Sequence, residues 1–159
     1  MQYQKLSLSA SNSQKEITLL LDKKDQAKGL FISFIGHKKE RFQLNTIIQH
    51  LVAETQARVI VKGVLYDQSS AIVEGIIKID SKAQQTDSFL EQKILLIGEK
   101  SWATAEPKLE IKANQVKASH AATVGRLDLS QVFYLQSRGL SYNQAVEMLV
   151  AGFLNPKLS

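Results

Sequence analysis

The sequence predicts a mainly β fold that ends in a short helical segment, and three observations carry that expectation. Apolar and polar residues alternate with period two in segment after segment over the first two-thirds of the chain. No ten-residue helical pattern joins those segments, which argues against a doubly wound α/β sheet. After about Asn114 the period changes to that of an amphipathic helix.

Taken in order, Ile17, Leu19 and Leu21 alternate with Glu16, Thr18 and Leu20. Phe42 and Leu44 alternate with Arg41, Gln43 and Asn45. Val59 and Val61 flank Ile60, and Leu109 and Ile111 alternate with Glu110 and Lys112. Phe31 to Ile35, Ala71 to Ile79 and Ile94 to Ile97 are more continuously apolar, as expected of strands buried on both faces. Turn residues separate these runs: Asp22 to Gly29, Gly36-His37, Tyr66 to Ser70, Asp80-Ser81 and Gly98-Glu99. Thr46 to Thr55 fits a helical turn as well as a strand. Pattern alone leaves two all-β architectures open, an antiparallel sandwich and a β-solenoid.

Leu129, Val132 and Phe133 share one face of a short helix over Gln131–Ser137, and core packing is expected of Phe133. Gly139 suits the left-handed position that ends a helix. Ser141 with Gln144 three residues on forms a capping-box pattern. Tyr142, Ala145, Val146, Leu149, Val150 and Phe153 then follow at helical spacing until Asn155-Pro156.

Composition narrows the functions. An apolar fraction of 44% and a charged fraction of 22% are those of an ordinary globular domain. No apolar run is long enough to span a membrane and the first ten residues lack a signal-peptide core, so a cytoplasmic protein is expected. The absence of cysteine excludes a thiolate nucleophile and any iron–sulfur cluster held by this chain's own sulfurs. A net charge of +5 is spread thinly, and its densest stretch, Lys38-Lys39-Glu40-Arg41, contains its own acid. A solvated face is expected there, and no nucleic-acid partner. There is no phosphate-binding glycine loop, no metal-spaced His/Cys cluster and no nucleophile elbow. Ser119 and His120 are adjacent in a strand-like segment and so point to opposite faces, which removes a hydrolase pair. No enzyme is expected. His37 and His50 lack any motif and are expected at the surface. Trp102 is expected in a loop or at a corner, as an interface anchor or as a cover over the end of an apolar column.

One segment is more specific. Ala118-Ser119-His120-Ala121-Ala122-Thr123-Val124-Gly125-Arg126-Leu127-Asp128 is followed by Val132 to Leu140, reading VFYLQSRGL, and then by Ala145 and Leu149-Val150-Ala151-Gly152-Phe153. Upstream stand Ala83-Gln84-Gln85-Thr86-Asp87-Ser88, then Pro107-Lys108-Leu109-Glu110-Ile111 with Val116-Lys117. This series resembles the C-terminal signature of the SufB/SufD family, the paired scaffolds of the SUF iron–sulfur cluster assembly machinery. The match is dense over 73–154 and thin before it.

The resemblance implies a right-handed parallel β-helix (a solenoid) followed by a short C-terminal helical segment. On this division 1–113 is the β-helix core, 114–126 the last coil and connection, and 127–159 a helical hairpin, all within one structural domain. It also implies a component of a cluster assembly complex, scaffold or partner subunit. Its partners would be a SufC-like ATPase docked on the hairpin, and a SufB/SufD-like chain or a second copy joined through the β-helices. The chain alone would hold no cofactor; a transient iron–sulfur cluster would be shared with a partner. His120 matches the family histidine implicated in cluster formation. Tyr134, Arg138 and Met148 are the expected ATPase-docking residues, with a bland alternative in which the hairpin only caps the last coil. Family members are usually longer, and several have cysteine at the position of Ala118. Those departures support the alternative of a non-catalytic structural or regulatory module without a cluster-building role.

Overall fold

A computed structural model describes residues 1–9 and 14–155. Among these residues nine strands precede two helices: β1 (Tyr3–Leu8), β2 (Gln14–Leu21), β3 (Ala27–Gly36), β4 (Arg41–His50), β5 (Gln56–Leu65), β6 (Ser70–Ile79), β7 (Thr86–Leu96), β8 (Trp102–Ile111), β9 (Val116–Arg126), α1 (Leu129–Ser137) and α2 (Tyr142–Leu154). The odd strands form one sheet in the order β1-β3-β5-β7-β9, and the even strands form the other, β2-β4-β6-β8. Every pairing is parallel. A chain that visits two sheets in alternation, with all neighbours parallel, winds as a β-solenoid. A sandwich would need antiparallel pairs.

The register shows the winding. Tyr3 pairs with Gly29, Gly29 with Arg58, Arg58 with Phe89 and Phe89 with Ser119. Successive coils therefore differ in length, which is why no sequence repeat is visible. The difference is taken up at corners, where non-glycine residues accept left-handed backbone: Asp25, Glu54 and Gln85 at one edge, Lys38 and Asp67 at the other. Corners stack as the strands do. The Lys38 N–H donates to the Asp67 carboxylate at 2.7 Å, and Gln68 N–H donates to the Lys38 carbonyl at 2.9 Å.

Alternation decides which side chains enter the core. Phe42, Leu44, Thr46, Ile48 and His50 of β4 point inward and are all buried, as are Ala71, Val73, Ile77 and Ile79 of β6. Thr46–His50 is thus strand, and Leu51–Thr55 is the turn. Ala71–Ile79 is buried on one face only, because Ile72, Glu74, Ile76 and Lys78 face out. Phe34 and Phe42 stack across the core at 4.7 Å. The Phe34 ring occupies the space a side chain on Gly63 would need, within 2.3 Å of an ideal Cβ.

His50 corrects the sequence expectation. It is fully buried, because it continues the inward series of β4. Its Nδ1 lies 2.8 Å from Thr55 Oγ1 and its Nε2 lies 3.0 Å from Ser88 Oγ, with Thr86 Oγ1 3.2 Å from Thr55. Burial pushes its pKa down to about 4.

The helices are locally well specified. Asp128 caps α1 by accepting from Ser130 N–H, and Ser141 and Gln144 form the expected capping box on α2. Gly139 between them has φ of 96°. Asn155 caps the end of α2, and Pro156 lies outside the described residues. Val132, Ala145, Val146 and Val150 pack with Val64, Tyr66, Leu95 and Ile97. The hairpin therefore lies on the outer face of the odd-strand sheet, not across the end of the solenoid. No helix among the described residues is long and apolar enough to cross a membrane.

Candidate functional site

Two surfaces hold the residues singled out from sequence. The first is the open face of the final layer, β8 with β9. Register places His120 in the column Leu30–Val59–Leu90–His120. The first three are at most 4% exposed, whereas His120 is exposed. No further coil lies over it in the described structure. Other inward positions of the layer are also open, although Ala105, Pro107 and Ala118 are half-buried. Leu109 is 40%, Ile111 41% and Val124 38% exposed. Ala118 sits over Ser88 and Ala122 over Gln92, on either side of His120. Pro107 sits over Gly75, and Leu90 crowds Gly75 from the opposite sheet, so the stacking sets His120 and Pro107 across from one another.

The chemistry of this face is limited. It offers one imidazole in a trough of small and aliphatic side chains. No group of three or more His, Cys, Asp or Glu that could hold a metal ion occurs among the described residues. One nitrogen ligand does not make a metal site, so any cluster handled here would need ligands from another surface. Among the described residues the outer backbone edge of β9 is unpaired, which is the usual condition for strand addition by a partner.

The second surface is the outside of the helical hairpin. Its inner face is used against Val64 and Leu95, yet large apolar groups remain outside: Phe133 is 67% exposed, Tyr134 59%, Met148 54% and Leu129 54%. Tyr134, Leu135, Met148 and Leu149 line a groove of about 370 Å³ between the helices, with Ser130 and Gln131. Arg138 is the C-cap residue of α1, and its guanidinium lies 5.3 Å from the centre of the Tyr134 ring. Tyr134, Arg138 and Met148 are therefore brought together, and His120 stands apart from them in the solenoid. Phe133 overturns the core expectation. Four residues before Ser137 and one after Val132, it faces away from the solenoid, and the FYL run was the signal that one helix face could not hide all three.

Lys62 fixes the hairpin to the solenoid. Its ammonium donates to the carbonyls of Phe153 at 2.7 Å and Asn155 at 3.2 Å. It also lies 5.5 Å from the Phe153 ring centre and 6.0 Å from that of Phe31. Nothing in the sequence around Lys62 signalled this role, since its partners are ninety residues downstream. Trp102 is the first residue of β8, faces outward and is 49% exposed, so it does not cover the end of the column.

A parallel two-sheet solenoid with an exposed last layer, carrying a helical hairpin whose outer side is apolar, is the class of protein that this fold defines. Residues 1–153 match the family described as SUF system FeS cluster assembly, SufBD core domain, and the chain belongs to that family. Among its relatives, the iron-sulfur cluster assembly protein SufD of Bacillus subtilis (strain 168) is 34% identical over 122 residues, covering 77% of this chain and 28% of the relative. SufD of Escherichia coli (strain K12) is 35% identical over 116 residues, covering 73% and 27%. The iron-sulfur cluster assembly protein SufB of Bacillus subtilis is 29% identical over 135 residues, covering 84% and 29%. The chain thus spans somewhat over a quarter of the length of these curated relatives.

Proposed function

We infer that this chain serves iron–sulfur cluster assembly as a non-enzymatic scaffold or partner subunit, in which the hairpin docks a SufC-like ATPase and the open solenoid end meets a SufB/SufD-like chain or a second copy. The observation that carries the reading is the groove of Tyr134 and Met148, with Phe133 exposed and Arg138 alongside. It is an apolar helical face with one cation that the chain's own core does not consume. An amphipathic helix pair of this kind fits a hydrophobic groove on a partner. At the open end His120 would supply one ligand to a transient cluster, and the partner would supply the others. A cytoplasmic setting goes with that role.

The test is binding of a SufC-like ATPase to the intact chain and to Arg138→Ala and Tyr134→Ala/Met148→Ala variants, with circular dichroism to confirm the fold. Loss of an anchor of this type costs on the order of 2 kcal/mol, about thirtyfold in affinity. Equal binding by all three would remove the docking reading. A second reading, a structural module without a cluster-building role, draws on Ala118, which places a methyl group where several family members have a thiol. Anaerobic reconstitution with iron, sulfide and partner chains separates the two. The second reading holds if cluster yield is unchanged when this chain, or His120, is removed.

A further inference from the structure

The outer face of the even-strand sheet carries a feature that neither surface above uses. Arg41, Ser70 and Trp102 fall in one register row, on β4, β6 and β8. Neighbouring strands lie about 4.8 Å apart, so the flanking residues are separated by roughly 9.6 Å at the backbone. Ser70 between them is small and only 4% exposed. The row therefore sets an indole and a guanidinium on either side of a small residue that its neighbours largely cover, with a slot opening beside it.

The surroundings of the slot are consistent with one kind of occupant. Ile72, 36% exposed, adds an apolar side chain beside Trp102. Gln14 and Gln43 bring two side-chain amides to the adjoining row, where they pair across β2 and β4. Lys39 stands at the corner next to Arg41, and together these residues enclose about 590 Å³. Among the described residues no acidic side chain lines the space. Glu40, between the two cations in sequence, has its carboxylate turned to the corner, where it accepts the His37 N–H at 2.8 Å. Among the described residues neither Lys39 nor Arg41 has an ion-pair partner.

A stacking wall, amides for a ring edge and two cations free for an anion are complementary to a planar heterocycle bearing a phosphate. The geometry points to a mononucleotide-binding site between Trp102 and Arg41, with the base stacked on the indole, its edge read by Gln43 and Gln14, and the phosphate held by Lys39 and Arg41. Stacking of this kind is tolerant of base identity, and guanidinium favours phosphate over other anions through paired N–H donors. The site is a small-molecule slot, which agrees with the absence of an extended basic face.

The chain has a single tryptophan, so Trp102 reports on its own site. The experiment titrates the intact chain with AMP, exciting the indole at the red edge where purine does not absorb, with adenosine and inorganic phosphate as separate arms. Saturable quenching by AMP is expected, with half-saturation on the order of 1 mM or below. Adenosine should quench more weakly, and phosphate should compete without quenching. Lys39→Gln/Arg41→Gln should weaken AMP by about tenfold or more, the scale of a lost charge-assisted bond. Equilibrium dialysis with labelled AMP extends the test to Trp102→Ala, which should bind more weakly than the unaltered chain. The proposal is overturned by non-saturable quenching, by equal affinity in either variant, or by an acidic tyrosine-containing peptide that binds more tightly than AMP and marks the slot as a protein contact.

Discussion

The ammonium of Lys62, on β5, donates to the carbonyl of Phe153, near the end of α2, at 2.7 Å and lies 5.5 Å from the same residue's ring centre. One side chain thus satisfies a carbonyl in the last turn of a helix and stacks on the ring next to it, joining the solenoid to the hairpin. Cations are favourable at helix C-termini, where the last carbonyls lack intrahelical partners.

Lys62→Met keeps the aliphatic stem against Phe31 and Phe153 and removes the donor. The expected cost is about 1–2 kcal/mol for bonds of charged-group strength in a half-buried setting. Amide hydrogen exchange should accelerate in the last turn of α2 and leave β5 and β7 unaffected. Unchanged exchange in α2 would show that the packing of Val146 and Val150 alone holds the hairpin.

His50 makes stability depend on pH. Its folded pKa is lowered to about 4 from an ordinary 6.5, and the cause is burial. Between those values the unfolded chain binds a proton that the folded chain does not, so stability rises with pH across that window. Stability is full above about pH 6.5 and is progressively lost as pH falls towards 4. The loss reaches about 3 kcal/mol at most, from a shift of this size. Urea denaturation at pH 7.5 and 5.0 reads it. His50→Gln should flatten the slope over this window, at the expense of lower stability at pH 7.5 through the bonds to Thr55 and Ser88. An unchanged slope in that variant would place the dependence elsewhere.

Gly63→Ala tests the packing of the core. An added Cβ would meet the Phe34 ring at 2.3 Å and Ile94 at 2.9 Å. The Phe34 ring is itself stacked on Phe42, so it has little room to yield. Overpacking of this kind costs roughly 1–3 kcal/mol. The thermal midpoint should fall, and Gly63→Ala/Phe34→Leu should recover part of the loss. Failure of the second change to recover any stability would assign the cost to the backbone.

The open layer around His120 predicts association. Leu109, Ile111 and Val124 are each more than a third exposed beside the unpaired edge of β9. Ala122→Arg places a charge in the trough without touching the layer beneath. Sedimentation of the unaltered chain should show self-association or uptake of a SufB/SufD-like chain, and the variant should remain monomeric. A stable monomer of the unaltered chain that takes up no such partner would refute this.

Much of the local structure was legible from residue order. Alternation in Phe42 to Asn45 marked β4, the Ser141–Gln144 pair marked the start of α2, and the SHAATVG and FYLQSRG runs carried the family. His50 was legible in principle, because it continues the even positions Phe42, Leu44, Thr46 and Ile48, but its polarity masked the pattern. The groove of Tyr134 and Met148 was partly legible, since three large groups in sequence exceed one buried helix face.

The sequence by itself determined several strands, β2, β4, β5 and β8 among them, the presence of two C-terminal helices and how α2 begins, because those depend on neighbours within a turn or two. Only the tertiary structure decided that Phe133 faces out, that Lys62 holds Phe153 and that Trp102 stands opposite Arg41. Each of those depends on register between coils whose spacing varies from Tyr3–Gly29 to Arg58–Phe89. The variation is absorbed at corners such as Glu54 and Gln85, whose left-handed backbone leaves no periodic mark in a chain of L-residues. The partners in these contacts lie roughly one coil or more apart, so their meeting is set by parallel stacking and core filling rather than by any local preference.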